Sequence, residues 1–534
     1  GLEVRMVNRK ENMDRLQAAW HQVRQERTAR LVVIQGEAGI GKSRLVDEFQ
    51  NWLALRPEPY SELHARAIPQ TSNLPYSLIR ELLFKQFQIF DSDSVVVARD
   101  KLEQGILRTM GWEGRSRAHF IGQLLGLDYS DTPSLSGILD DPAQIRDRAF
   151  HYFTQFVQAI TQNAAAIFYL EDLHWADDRS LELLTYLSRT CRGLPVLLLC
   201  TTRPSLFERR QDFYYDMNGM TKIDLQALQP EETRELTEEI LRHLTGSPEG
   251  LLEHLADQVN GSPIHLEEII KLLIEEKVIL PDGKQWRLDT ELWGKYQIPT
   301  ALTDVMVRRL SHLPNQVQET LYQAAVIGRI FWDGALFEMK QECDQAKISE
   351  YLALLVHQDD IVHHDVTAFS GVEEYAFNHA LLHEVVYDHI PSQQRQTYHY
   401  EVATWLVNHA GDRVEELAGS IARHFDRAGS EDEAAIWYRM AGDKAASQFA
   451  NVEAEKYYTI ALGYTPQDQL EVRFDLLLAR ERVYDLQGRR DQQAADWVLL
   501  DDLAYRIGSQ DRIALVTLRQ ASYAEATGDY LAQI

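Results

Sequence analysis

The sequence predicts an α/β domain on a parallel sheet, followed by a helical lid, a winged helix and an all-helical repeat array. Three observations carry that prediction. Apolar, β-branched runs alternate with amphipathic helical stretches over the first 228 residues, as strands and crossover helices do. Two short extended stretches follow a set of helices near residues 360–378, as a wing would. Helical patterning alone occupies the chain from about residue 415. At 534 residues the chain also exceeds the roughly 100–200 residues of one ordinary domain.

In chain order, "LVVIQG" (31–36) reads as a buried parallel strand, and "GEAGIGKSRLVDEFQNWL" as a glycine-rich turn opening into an amphipathic helix. Further strands are expected at 60–67, 166–172, 196–203 and 222–228, with helices such as "SLIRELLFKQF" and "QIRDRAFHYFTQFVQAI" between them. This α/β unit is expected to span residues 1–228. A lid is expected over 229–298: "QPEETRELTEEIL" opens with Pro and acids, as helix N-termini prefer, and "LPDGKQWRL" suggests a hairpin at Asp282-Gly283. Residues 299–395 give helices and then "DIVHHD" and "EEYAFNH", a two-stranded wing. Residues 396–534 read as tetratricopeptide-like hairpins, since "YDLQG" and "YAEATG" recur at a spacing of about 40 residues. The last repeat looks truncated at "GDYLAQI", and the chain starts without Met, so a longer protein is expected.

Composition sets limits. The chain is 45% hydrophobic and 25% charged, as soluble globular chains are. No apolar run approaches the roughly 20 residues that span a bilayer, and the charged N-terminus lacks a signal-peptide pattern. Three scattered cysteines, Cys191, Cys200 and Cys343, form no disulfide framework or metal knuckle, and a cytoplasmic protein with reduced thiols is expected. A net charge of −27 repels a phosphate backbone and argues against extended nucleic-acid contact, while leaving room for one nucleotide in a locally positive pocket.

Gly36, Glu37, Ala38, Gly39, Ile40, Gly41, Lys42 and Ser43 fit GxxxxGK[ST] between a strand and a helix, the context a phosphate loop requires. The glycines let backbone N–H groups converge on phosphates, Lys42 supplies a cation, and Ser43 a hydroxyl for Mg²⁺; Arg44 follows directly. Such a loop needs an acid at a neighbouring strand end, and "AIFYLED" offers Glu171 and Asp172 as catalytic and Mg²⁺-holding candidates. Consecutive strand residues face opposite ways, so the two acids are expected to differ in role. Arg203, ending the strand "VLLLCTTR", either senses a γ-phosphate in the ligand crevice or pairs at the domain surface. The fold class is thus an α/β P-loop nucleotide-binding domain with appended lid, winged helix and solenoid.

These segments together resemble the STAND class of AAA+ signal-transduction ATPases. The resemblance covers roughly residues 4–400 and rests on "GEAGIGKSRLVDEF", "FYLEDLHWADDRSLELL", "LLLCTTRP", "GSPIHLEEIIKLLIEE" and "IPTALTDVMVRRLSHLP…LYQAAVIGRIF". It implies that Val7 and Arg9 of "MVNRKENMDRL" lie near an adenine, with Asn8 standing where the family has Gly. Pro263 of "GSP" would pack on the base, and Arg203 matches the arginine at the strand end. It also bears on "FNHALLHEVVYDH": His379 resembles the histidine that reads the β-phosphate of ADP in related switches, with Ala380 replacing an Asp. Read from the residues alone, the histidines of this segment are equally a set of wing and helix-surface residues, or a metal pair at i, i+4 that lacks the Glu of HExxH. His383 and His389 are assigned to the surface set, His363 and His364 to a solvated wing, and His174 to packing.

The resemblance implies an ATP- and ADP-dependent switch with Mg²⁺, slow hydrolysis, an ADP-bound resting state, an inducer (protein or small molecule) received by the repeats, and self-association in the ATP state. A replication-initiator-like DNA-handling ATPase and a nucleotide-bound structural scaffold are the alternatives.

Overall fold

The computed structural model describes residues 6–527, except 73, 140, 212, 214–219, 246, 247, 249, 283, 284, 340–344, 365, 366 and 449. Cys343, the Gly283 turn and the "GDYLAQI" tail therefore lie outside the described residues.

Five parallel strands, β1 (Arg30–Gln35), β2 (Tyr60–Arg66), β3 (Ala165–Glu171), β4 (Val196–Thr202) and β5 (Met220–Asp224), form one sheet in the order β2-β3-β4-β1-β5. Their near-continuous apolar runs follow from burial on both faces. Leu31, Val33, Leu198 and Cys200 pack into one core, while Val32, Ile34, Leu197 and Leu199 pack into the other. The sequence reading omits two helices on the first face, Val95–Met110 and Gly114–Leu124, whose Leu102, Ile106, Phe120 and Ile121 complete that core. Helix Lys42–Ala54 follows β1, which sets the phosphate loop at the carboxyl end of a strand flanked by β4 and β5.

Helices Pro230–Ile240, Leu251–Gln258 and Pro263–Glu275 build a separate core with Leu236, Leu255 and Ile269. Beside it stands a small sheet of β6 (Leu244–Thr245), β7 (Ile279–Asp282) and β8 (Gln285–Leu288), in which β7 and β8 pair antiparallel. The wing has three strands instead of two: β9 (Ile330–Trp332), β10 (Ile361–His364) and β11 (Glu374–Phe377), in the order β10-β11-β9. A three-residue strand is too short for alternation to reveal it. Antiparallel helices follow, among them Ser392–His409, Glu431–Ser447, Leu470–Gln487 and Arg490–Ile507. One apolar core runs from Met306 and Phe331 of the winged helix into Trp405, Tyr438 and Leu500 of the repeats.

Charge joins lid to winged helix. Arg309, 5% exposed, pairs with Glu268 at 2.5 Å, Glu275 at 2.8 Å and Asp360 at 3.1 Å. Removing one member of such a buried cluster leaves the others uncompensated. We expect Arg309→Ala to cost about 3–5 kcal/mol in denaturant unfolding followed by tryptophan fluorescence. Arg234→Ala, which breaks an exposed i,i+4 pair with Glu238, is expected to change stability by no more than about 0.5 kcal/mol.

Candidate functional site

Gly39 and Gly41 hold the left-handed backbone, φ +73° and +98°, that turns the loop back on itself. A Cβ on Gly39 would lie 2.1 Å from Ile264 Cγ2, so the lid helix presses directly on the loop. The Lys42 ammonium curls into this loop and donates to Gly36 O at 2.8 Å and Glu37 O at 2.7 Å. It is buried, and desolvation pushes its pKa down to about 8. An anion in the loop would restore its charge. Ser43 and Arg44 begin the helix on its exposed side, with Arg44 paired to Glu48.

At the neighbouring strand end the two acids do part. Glu171 pairs with Arg66. Asp172 leaves the strand at φ +56°, donates its backbone N–H to Thr201 Oγ1 at 3.0 Å, and its carboxylate accepts at 2.6 Å from Arg329 Nη1. Burial opposes a charge on Asp172, yet Arg329 and Arg66 hold its carboxyl below the ordinary range. Arg329 comes from the turn before β9, 157 residues away, and the sequence reading misses it. An arginine after "VIG" reads as a helix cap, and only the tertiary fold brings it to the acid.

The second arginine behaves similarly. Arg203, at the end of β4, pairs with Glu384 of winged-helix helix Ala380–His389 at 3.6 Å. Its charge is felt by Lys42 and by His174. His174 follows β3 and lies in ring contact with Trp175. It is 8% exposed, neither ring nitrogen has a hydrogen-bond partner, and desolvation lowers its pKa to about 4, so it is neutral at pH 7.

His379 sits at the start of helix Ala380–His389, with Nε2 buried and unpartnered. Desolvation lowers its pKa, and Glu268, Lys271, Asp359 and Arg329 are the charges around it. His383, assigned to the surface from sequence, is instead inside: its Nε2 lies 2.9 Å from Ala325 O, and burial lowers its pKa to about 4. An apolar helix face one turn beyond His379 explains the difference. His364 is tied to Glu374 at 2.9 Å, so it too is less solvated than expected, whereas His389 is exposed.

The adenine-side candidates also gather here. Asn8 adopts φ +45°, a glycine-like conformation, and binds Glu232. Arg9 donates to Gln226 O at 2.8 Å and to Ile40 O at 3.4 Å, while Val7 packs on the lid core. Pro263 opens the lid helix, and Gly261 before it, at φ +74°, takes an N–H bond from Leu228 at 2.9 Å.

Residues 5–199 match the AAA ATPase domain family. This part of the chain is similar to AAA ATPase domains. An uncharacterized protein of Rhizobium meliloti (strain 1021) is 26% identical over 475 residues, which is 86% of this chain and 42% of that protein. The chain thus spans less than half the length of this curated relative. Among solved structures it is similar to a STAND protein with a tetratricopeptide repeat sensor from Pyrococcus horikoshii, at 14% identity, covering 99% of this chain and 78% of that one, with a TM-score of 0.42. The Aeropyrum pernix ORC1 protein in complex with DNA is similar at 12% identity, over 73% of this chain and 94% of that one, with a TM-score of 0.33.

The AAA ATPase domain implies a nucleotide, usually with Mg²⁺, and the residues present fit both. The loop glycines and the desolvated Lys42 offer backbone N–H groups and a cation to phosphates, and the charge of Lys42 also reaches His174, whose ring nitrogens are unpartnered. Among the described residues no group of three or more His, Cys, Asp or Glu could hold a metal unaided. That suits Mg²⁺, which is commonly held by one or two protein oxygens and the substrate's phosphates. Ser43 and Asp172 are the residues that would hold it.

Because Lys42 without an anion is half-neutral near pH 8, ADP binding at that pH is expected to draw up a proton. Calorimetry in buffers of different ionisation enthalpy measures this directly. The uptake should fade at pH 7, where Lys42 is already charged, and vanish in Lys42→Met. That substitution is expected to weaken ADP binding roughly 10–150-fold.

Proposed function

We propose that this chain is an ATP- and ADP-operated switch whose resting state holds ADP between the sheet, the lid and the winged helix. One observation carries the reading: two further units close over the phosphate loop. Ile264 of the lid abuts Gly39, and the winged helix supplies Arg329 to Asp172 and Glu384 to Arg203. A nucleotide there would touch all three units, so its γ-phosphate and metal could favour one arrangement over another. Differential contact of that kind is what a population shift needs.

Each residue then has a task. Lys42 and the loop N–H groups hold the phosphates, and Arg9, Val7 and Pro263 bound the base. When bound, Mg²⁺ neutralises phosphate charge and polarises the terminal phosphoryl group. Ser43 and Asp172 face it, and Asp172 must then give up Arg329. Glu171, neutral His174 and Arg203 are the groups available to orient water and sense the terminal phosphate. His379 offers its unpartnered nitrogen to ADP. Hydrolysis is slow in this reading because Arg66 and Arg329 occupy both acids in the closed state. Opening in the ATP state exposes surface for self-association, and the repeats receive the inducer.

The test is to denature purified protein and identify the released nucleotide. Wild type is expected to carry close to one ADP per chain. His379→Ala, losing a hydrogen bond to a charged group, should retain less than about a tenth of it after the same washing. An empty wild type, or identical small-angle scattering and assembly with ATP and ADP, would sink the switch.

A further inference from the structure

Away from the phosphate loop, a cavity of about 750 Å³ lies where the sheet domain, the wing and the first repeats meet. That is within the 300–1,000 Å³ range of small-molecule sites. Its apolar wall is drawn from all three units: Phe84 and Ile68 from the sheet domain, Ile330 and Phe369 from the winged helix, Leu406 and Tyr457 from the repeats. The enclosing contacts are specific. Arg80 bridges Asp91 at 2.7 Å and Glu416 at 2.6 Å, Arg413 donates to Phe90 O at 2.7 Å, and Asp91 N donates to Ala368 O at 2.6 Å.

Charge in the cavity is lopsided. Six carboxylates and four Lys or Arg side chains line it. Most of the acids are satisfied: Asp91 and Glu416 by Arg80, Glu171 by Arg66, and Glu374 by Trp332 Nε1 and the Ala368 N–H. The exception on the sheet-domain wall is Glu81. It accepts the Arg66 backbone N–H at 3.2 Å and feels the charges of Lys85 and Arg66, yet desolvation pushes its carboxyl up to about 7. A half-neutral carboxyl among phenylalanines and leucines gains most from a ligand that brings a positive charge and an apolar body together.

We propose that this cavity binds a largely apolar organic cation, an aryl- or alkylamine, whose ammonium pairs with Glu81. The occupant would touch all three units. Through Arg66, which lines the cavity and pairs with Glu171, it would lie one ion pair from the candidate catalytic acids.

A matched pair of fluorescent probes tests this on the full 534-residue chain. Dansylcadaverine carries an ammonium, and N-dansyl-6-aminohexanoate a carboxylate, on similar bodies. Dansylcadaverine is expected to bind saturably, one per chain, with blue-shifted emission and about tenfold or more tighter than the carboxylate. Glu81→Gln should cancel that preference, and Ala368→Trp, filling the cavity from the wing, should abolish binding. Both variants should still bind a fluorescent ADP analogue, which shows that they fold. Equal affinity for the two probes, no saturable binding, or an unchanged preference in Glu81→Gln would overturn the proposal. The nucleotide reading fails separately: dansylcadaverine bound by a wild type that binds no ADP analogue would leave the cavity standing and remove the switch.

Discussion

The ion pair between Asp172 and Arg329 is the contact on which the arrangement of this chain depends. Both partners are largely buried, 17% and 11% exposed, and they come from different units. Neither is comfortable alone: burial disfavours charge on each, and Arg66 adds repulsion to Arg329. Separating the sheet domain from the winged helix therefore strands a carboxylate at the strand end unless another cation takes its place. A metal-bound nucleotide brings such a cation. In the proposed switch the same acid would serve as a structural tie in one state and a metal ligand in the other.

The lid completes the device by steric means. Ile264 sits where any side chain on Gly39 would sit, and Arg309 binds the lid helix to Asp360 of the winged helix. Two sets of contacts therefore connect the winged helix to the phosphate loop: Arg329 and Asp172 by charge, and Arg309, Glu268 and Ile264 by packing. One apolar core also joins the winged helix to the repeats, a continuity that the proposed switch would use.

The sequence shows the parts of this site that depend on local pattern. A β-branched run ending in GxxxxGKS can only put its glycines at a strand-to-helix turn, and β1 and helix Lys42–Ala54 stand there. The acids at the end of β3 are legible for the same reason. What is not legible depends on tertiary distance. Arg329 follows a glycine after an apolar helix, and nothing in "VIGRIF" says that it reaches 157 residues back. His174 and His383 look like ordinary polar residues in short patterns. Their burial is set by helices that pack over them, and with it their neutrality at pH 7. The cavity has no local signature at all, since its walls come from three separate stretches of chain.

Charge on two scales reconciles a strongly acidic chain with a phosphate site. The net charge of −27 is spread over 534 residues, and its field disfavours a long polyanion laid across the surface. Around the loop Lys42, Arg203 and Arg329 act on His174 within a desolvated crevice, with Asp172 the main opposing charge. There Coulomb terms are strongest and screening is weakest. A compact polyphosphate entering that crevice meets cations whose own burial is costly, so it relieves repulsion as it binds. An extended backbone would have to lie against the acidic exterior to reach the same groups. A small phosphate compound there would add anionic partners to cations that are already paired in part, Arg329 with Asp172 and Arg203 with Glu384.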